Sequence, residues 1–262
     1  MKKILIIGKN SFIGSNLSIY LSKFFKLDNY TFEVVMKKKK NFFNNYSHVI
    51  NTCIHKNYID KRYLQKFDLD RKFILKFEKV NFYYIYLNSR KIYTSKENIK
   101  EDSIVSPIGN YGRNKFKTEV FLKKKVNKKL VSLRISNIIG KRKHNNARNN
   151  HKLFLDNFLK FKKEKKKITI HNDFKDFISI DQFSRIIYKI IKLNINGTYN
   201  VSIAEKIYIS EIVKWLDKNF IKKVKFLEAS KDSFTLCNKK LLKKIKININ
   251  KNQLKLFCRN LI

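Results

Sequence analysis

A chain of 262 residues with 60 Lys and Arg against 20 Asp and Glu carries a formal net charge of +40 on an ordinary apolar content. That length supports one large domain, or one domain with an appended lobe, around a sizeable core. No apolar run reaches the ~18 residues of a membrane span, and the stretch after Met1-Lys2-Lys3 is too short for a secretory signal. Three scattered cysteines without CxxC spacing point to neither a disulfide framework nor a metal site. A cytoplasmic location is expected.

The charge itself invites a nucleic-acid reading, because clustered lysines release counterions from phosphates. Here the lysines occur in every segment, 37–40, 123–125 and 162–167 included, without a nucleic-acid-binding motif around them. Phe and Tyr rise with them, to 22 and 13, while Gly falls to 6 and Pro to 1. That joint pattern follows adenine/thymine-rich codons rather than one basic face. No specific nucleic acid is expected as a partner, and an anionic substrate gains from the field.

Taken in order, Lys3 to Ile7 is a β-branched run suited to a strand buried on both faces. Gly8-Lys9-Asn10-Ser11-Phe12-Ile13-Gly14 follows, and Leu17, Tyr20, Leu21, Phe24 and Phe25 then recur at helical spacing. A strand, a glycine turn and a helix start present backbone N–H groups and a positive helix end to a pyrophosphate. Gly8, Ser11, Phe12, Ile13 and Gly14 are the expected contacts, with Ser11 standing where a middle glycine is usual. Phe32 to Met36 reads as a second strand. The acid that holds a ribose 2′-hydroxyl belongs at its end, about 20 residues past the glycines; the sequence gives Lys37-Lys38-Lys39-Lys40 instead. Lysines there suit a 2′-phosphate, so Lys37 is assigned to the cofactor and NADP is favoured over NAD.

His48 to Ile54 is the third strand, closing on small residues, Thr52 among them, that let a dinucleotide pass. His55 reads as a loop histidine. Tyr63 to Phe77 is helical, and Phe82 to Leu87 is a fourth strand with Ser89 at its C-terminal end, where open parallel sheets place their chemistry. A helix begins near Tyr111, and Leu130 to Ile135 is a further strand. Residues 141–167 are polar, basic and irregular. Short strands are expected at Lys167–Ile170 and Phe177–Ile180, a helix over Asp181–Lys192, and a strand over Gly197–Val201. A helix capped by Ser210 should bury Ile212, Val213, Trp215 and Leu216. The tail to Ile262 carries no assignable function. Alternating strands and helices specify an α/β, doubly wound parallel sheet. Residues 1–140 and about 176–205 would form a dinucleotide-binding domain, and about 141–175 and 206–262 a small substrate-binding lobe.

Tyr111 and Lys115 lie four apart, so their side chains leave one helix face. An ammonium beside a phenol favours phenolate, and such a tyrosine exchanges a proton at a sugar hydroxyl or carbonyl. Ser89, delivered from a strand end, would hydrogen-bond the same oxygen. A pair at this spacing is also common by chance in a lysine-rich chain, and its weight comes from the order of everything around it.

In that order the chain resembles the extended short-chain dehydrogenase/reductase superfamily, of the NAD-dependent epimerase/dehydratase type. Six segments carry the likeness: Gly8…Gly14; Ser89-Arg90-Lys91-Ile92-Tyr93; Ser106-Pro107…Tyr111…Lys115; Arg134…Asn137…Gly140; Lys175-Asp176-Phe177-Ile178-Ser179-Ile180-Asp181; and Thr198-Tyr199-Asn200-Val201. The resemblance implies a Rossmann-like fold, an NAD or NADP cofactor touched by Tyr111 and Lys115, and a nucleotide-sugar substrate. It also implies catalysis by Ser89, Tyr111 and Lys115, substrate contacts from Asn137, His151 and Lys175, and room for a homodimer. Dehydratases of this type place an Asp-Glu pair after the catalytic hydroxyl; Arg90 and Lys91 stand there instead, and cations cannot protonate a leaving hydroxyl as a raised-pKa carboxylic acid does. Keto-sugar reduction or oxidation–reduction epimerisation is therefore expected. The competing expectations are a catalytically silent cofactor-binding sensor or scaffold and, last, a basic nucleic-acid binder.

Overall fold

The structure, a computed structural model, describes residues 2–78, 80–143, 154–164 and 167–262. In chain order its elements are β1 (Lys3–Ile7), α1 (Phe12–Leu21), β2 (Lys26–Tyr30), α2 (Phe32–Met36), β3 (His48–Asn51), α3 (Lys56–Asp60), α4 (Leu69–Phe77), β4 (Tyr83–Ser89), α5 (Gly109–Val126) and β5 (Leu130–Ile135). There follow β6 (Asn137–Ile139), α6 (Phe154–Lys163), β7 (Ile168–His171), β8 (Phe174–Lys175), β9 (Phe177–Ser179), α7 (Ile180–Leu193), β10 (Gly197–Val201), β11 (Ile207–Tyr208), α8 (Ile209–Leu216), β12 (Val224–Leu227), α9 (Lys239–Ile245) and α10 (Lys251–Arg259).

Among these residues six parallel strands form one sheet in the order β10-β5-β4-β3-β1-β2. β1 is apolar at every position from Ile4 to Ile7 because both its faces are covered. Ile4 and Ile6 join Leu17, Leu21, Phe183 and Ile186 on one side, under α1 and α7. Leu5 and Ile7 join Phe43, Phe73, Phe77 and Leu122 on the other, under α4 and α5. The register sets Ile7 beside Tyr30 and Asn51, and Ser89 beside Ile135, which in turn lies beside Val201. All six strands thus end at one rim. The chain reverses its direction of winding between β1 and β3, which opens a crevice at that rim.

Three expectations are corrected. Phe32–Met36 is a helix, α2, and the second strand is Lys26–Tyr30. Thr31 explains the helix: its hydroxyl accepts from the Val34 N–H as an N-cap. β2 escapes an apolar pattern because it is the sheet's edge, half-buried along its length. The cap of α8 is Tyr208, whose N–H donates to Glu211 at 3.1 Å, and Ser210 lies inside the helix with its N–H donating to Asn172 at 3.0 Å. Within 141–167, expected to be irregular, Phe154–Lys163 forms α6, burying Leu155 and Phe158.

The C-terminal residues close over the rim by way of Asp176. This fully buried carboxyl group accepts from the Ile203 and Leu236 N–H groups, each at 3.1 Å, and so ties the end of β10 to the tail. Phe234 and Leu236 then pack on Ile92, Tyr93 and Ile99 beyond β4. A tail without assignable function in the sequence thereby packs against the segment that follows β4.

Candidate active site

At the rim the crevice widens into a cavity of about 560 Å³, with Ser89, Tyr111 and Lys115 among the residues that line it. Ser89 closes β4, and its Oγ accepts from the Lys91 N–H at 3.2 Å, which leaves the hydroxyl proton to donate into the cavity. Tyr111 and Lys115 come from the first two turns of α5. Lys115 is buried; its Nζ donates to the Leu87 carbonyl at 2.8 Å and lies 4.8 Å from the Tyr86 ring centroid. The ammonium is therefore tied to the last turn of the same strand that delivers Ser89.

Two features fix α5 against that strand. Gly112 meets the turn after Ser89 so closely that a Cβ there would lie 2.1 Å from the Lys91 carbonyl oxygen. Deeper in the helix, Glu119 has no exposure: it accepts from Arg134 at 2.7 and 3.1 Å, from Ser132 at 3.2 Å, from Lys123 at 2.6 Å and from Asn88. Burial alone would raise its carboxyl; Arg134 and Lys123 outweigh that and hold it below the usual range. Arg134, assigned by resemblance to the same segment as Asn137, is a structural partner of α5.

The glycine turn opens on the same cavity through Ser11, Phe12 and Ile13. Gly8 adopts φ +122°, and its N–H donates to Tyr30 O at 2.7 Å. A Cβ on Gly14 would stand 2.3 Å from the Gly8 carbonyl, so turn and helix meet backbone to backbone. Ser11 is the N-cap of α1: its Oγ accepts from the Gly14 N–H at 2.8 Å and lies 2.6 Å from Thr52 Oγ1, which itself donates to Ile7 O at 2.8 Å. The serine in place of a glycine thus locks the turn to the end of β3. Phe12 and Ile13, at the first positions of α1, have N–H groups with no acceptor inside the helix. These residues fit the pyrophosphate of a dinucleotide, with the helix dipole favouring its charge.

Asn137 and Lys175 also line the cavity, after β5 and from β8. His151 lies outside the described residues. Lys37 is not a lining residue; it is exposed at the C-cap of α2, because the strand expected before it is a helix. Lys38 comes back instead, with its Nζ 5.7 Å from the ring centroid of Tyr30 at the end of β2. His55 caps α3 through Nδ1 and stacks on Phe67.

Asp232 is the site residue that sequence reasoning missed. It accepts from Arg90 at 2.8 and 3.1 Å, from Lys175 at 2.9 Å and from Ser95 at 3.0 Å, with Lys91 at 3.6 Å. Burial would raise its carboxyl, and the hydrogen bonds from Arg90 and Lys175 pull it far below the usual carboxylate range. Arg90 is buried against Phe234, so of the two cations after Ser89 only Lys91 reaches the cavity wall.

Residues 74–202 match the model of the NAD dependent epimerase/dehydratase family. It is the family that the sequence motifs resemble. The match takes in Ser89, Tyr111, Lys115, Asn137 and Lys175, and the glycine turn precedes it. Among solved structures the chain is similar to UDP-N-acetylglucosamine 4-epimerase from Methanobrevibacter ruminantium M1, with TM-score 0.79 and 17% identity over 99% of this chain and 96% of that one. dTDP-glucose 4,6-dehydratase from Bacillus anthracis str. Ames, in complex with NAD, gives 0.78 at 13% identity over 100% and 96%. A dTDP-4-dehydrorhamnose reductase ortholog from Clostridium acetobutylicum ATCC 824 gives 0.74 at 17% identity over 97% and 98%. These likenesses establish the fold. No curated protein sequence matches the chain.

Proposed function

We propose that this protein is an NAD(P)-dependent enzyme acting on a nucleotide-activated sugar, by keto-sugar reduction or by oxidation–reduction epimerisation. The observation that carries the reading is that Ser89, Tyr111 and Lys115 share one cavity with the opening of the Gly8–Gly14 turn. The nicotinamide of the bound cofactor would supply or accept a hydride. Tyr111 exchanges the proton at the reacting oxygen, Ser89 donates a hydrogen bond to that oxygen, and Lys115 places a positive charge on the same helix face. Asn137 and Lys175 hold the substrate in the cavity, beside Arg142, Phe154 and Ile209 of the proposed substrate lobe.

Elimination of water is the reaction the site serves least. It needs a carboxylic acid at the sugar, and among the described residues no Asp or Glu lines the cavity. For the cofactor, Lys38 over Tyr30 supports NADP, since it brings an ammonium to the end of β2 where a 2′-phosphate would lie.

Tyr111→Phe tests the reading. Turnover of a nucleotide sugar should fall by about a thousandfold or more while cofactor affinity stays within about threefold. A variant that keeps most of its activity removes Tyr111 from catalysis. Native mass spectrometry of the purified protein identifies the cofactor it retains, and NAD as the sole retained species would overturn the preference for NADP.

A further inference from the structure

We propose that the sugar received by this site carries a carboxylate near the carbon being transformed, and that Lys91 reads it. The inference rests on the nucleotide-sugar reading and narrows it to a substrate class.

The cavity wall is charged in one sense only. Lys91, Lys115, Arg142 and Lys175 line it, and among the described residues no Asp or Glu does. Three of the four cations have close partners: Lys115 donates to Leu87 O at 2.8 Å, Arg142 lies 2.9 Å from Asp156, and Lys175 lies 2.9 Å from Asp232. Lys91 is held most loosely, 3.6 Å from an Asp232 that already takes Arg90 at 2.8 Å. Around that carboxylate stand Arg90, Lys91 and Lys175; the next acid, Asp173, is 3.7 Å from Lys175 and accepts from Ser230. Three cations therefore face two carboxylates, and the side chain left with exposure, 46% of its surface, is Lys91. Burial and the neighbouring Arg90 disfavour its charged form. An anion arriving beside it relieves both effects.

Position distinguishes a sugar carboxylate from the nucleotide's diphosphate. Lys91 follows Ser89 by two residues, and its N–H is bonded to the Ser89 hydroxyl. Its side chain therefore starts beside the oxygen undergoing reaction, whereas the diphosphate lies across the sugar ring from that carbon. Ser136 lines the same cavity. It is 8% exposed, and its hydroxyl has no partner among the described residues. It follows directly on Ile135, the register partner of Ser89.

Matched nucleotide sugars test the proposal: UDP-glucuronate against UDP-glucose, and GDP-mannuronate against GDP-mannose, each titrated calorimetrically into cofactor-loaded protein. Wild type should bind the uronate of at least one pair about tenfold or more tightly than its neutral partner. Lys91→Gln should bring that ratio to within about twofold while leaving the neutral sugar unchanged, and Lys91→Arg should keep the preference. Equal wild-type affinity for uronate and neutral sugar overturns the proposal. So does a Lys91→Gln variant that weakens both members of a pair alike, which would assign Lys91 to the diphosphate. If the loaded protein binds none of the four, the nucleotide-sugar reading falls, and this inference falls with it.

Discussion

Gly112→Ala separates the placement of Tyr111 from the stability of the fold. The added Cβ would sit 2.1 Å from the Lys91 carbonyl oxygen and 2.9 Å from its carbon, both backbone atoms that cannot rotate aside. That contact must open to at least 3.0 Å, so α5 and the turn after Ser89 part by about 1 Å. Tyr111 precedes the mutated position by one residue and Ser89 precedes Lys91 by two, so the displacement falls between the two groups that must meet one oxygen. A misplacement of about 1 Å at a reacting centre costs on the order of 100-fold in rate, or about 2.7 kcal/mol of barrier. Stability should fall by only about 0–2 kcal/mol. Overpacking costs about 1–3 kcal/mol, and replacing a helical glycine by alanine returns about 1 kcal/mol. The assay is single-turnover reduction of bound cofactor by a nucleotide sugar that the wild type accepts, with a thermal melt alongside. Wild-type turnover in a folded Gly112→Ala protein would refute the argument that this backbone contact sets the geometry of the site.

Glu119→Gln should leave Arg134, 3% exposed, without its carboxylate. Breaking a buried pair on one side costs about 3–5 kcal/mol, so the melting temperature should drop on the order of 10 °C; a drop of only about 2 °C would show that the pair does not hold α5. Asp176 predicts a pH dependence. Burial lifts its carboxyl to about 8, against the bonds from Ile203 and Leu236. The folded state therefore keeps a proton that the unfolded chain releases near pH ~4. The stability this adds is fully present below about pH 4 and is lost as pH rises through about 8, at up to about 1.4 kcal/mol per pH unit. Asp176→Asn should flatten that slope in urea unfolding between about pH 5 and 8, and identical slopes in the two proteins would exclude Asp176 as its source.

What the sequence revealed of this fold follows from how far each feature's cause lies along the chain. Strands β1, β4 and β5 are central and covered on both faces, so their apolar runs stand out and mark where Gly8, Ser89 and Asn137 must follow. Tyr111 and Lys115 were legible because helical spacing is a local property. β2 was not, because an edge strand needs no continuous apolar face, and Lys-Leu-Asp-Asn-Tyr has none. Phe32–Met36 has more β-branched apolar residues than the true strand, and its helix is set by one cap at Thr31. That single misplacement put the expected end of the second strand at Met36 instead of Tyr30. Asp232 had no local signal at all, since its partner Arg90 lies 142 positions away.

The charge balance has a physical order beneath its excess of lysine. Acids are rarely buried unless paired or hydrogen-bonded, yet Asp68, Asp70, Glu119, Asp173 and Asp176 are all buried here. Each has a structural task. Asp68 accepts from Thr118 of α5 at 2.6 Å, and Asp70 accepts from Tyr84 of β4 at 2.7 Å and from Asn51 of β3 at 3.0 Å. Glu119 ties α5 to β4 and β5, while Asp173 and Asp176 fasten the C-terminal segment over the rim. Lysine accumulates at the surface, where an ammonium on a flexible stem is readily solvated. The scarce carboxylates sit instead where backbone N–H groups, hydroxyls and guanidinium groups need an acceptor. Those acids are engaged away from the cavity lining, and among the described residues the charged side chains that line it are all cations.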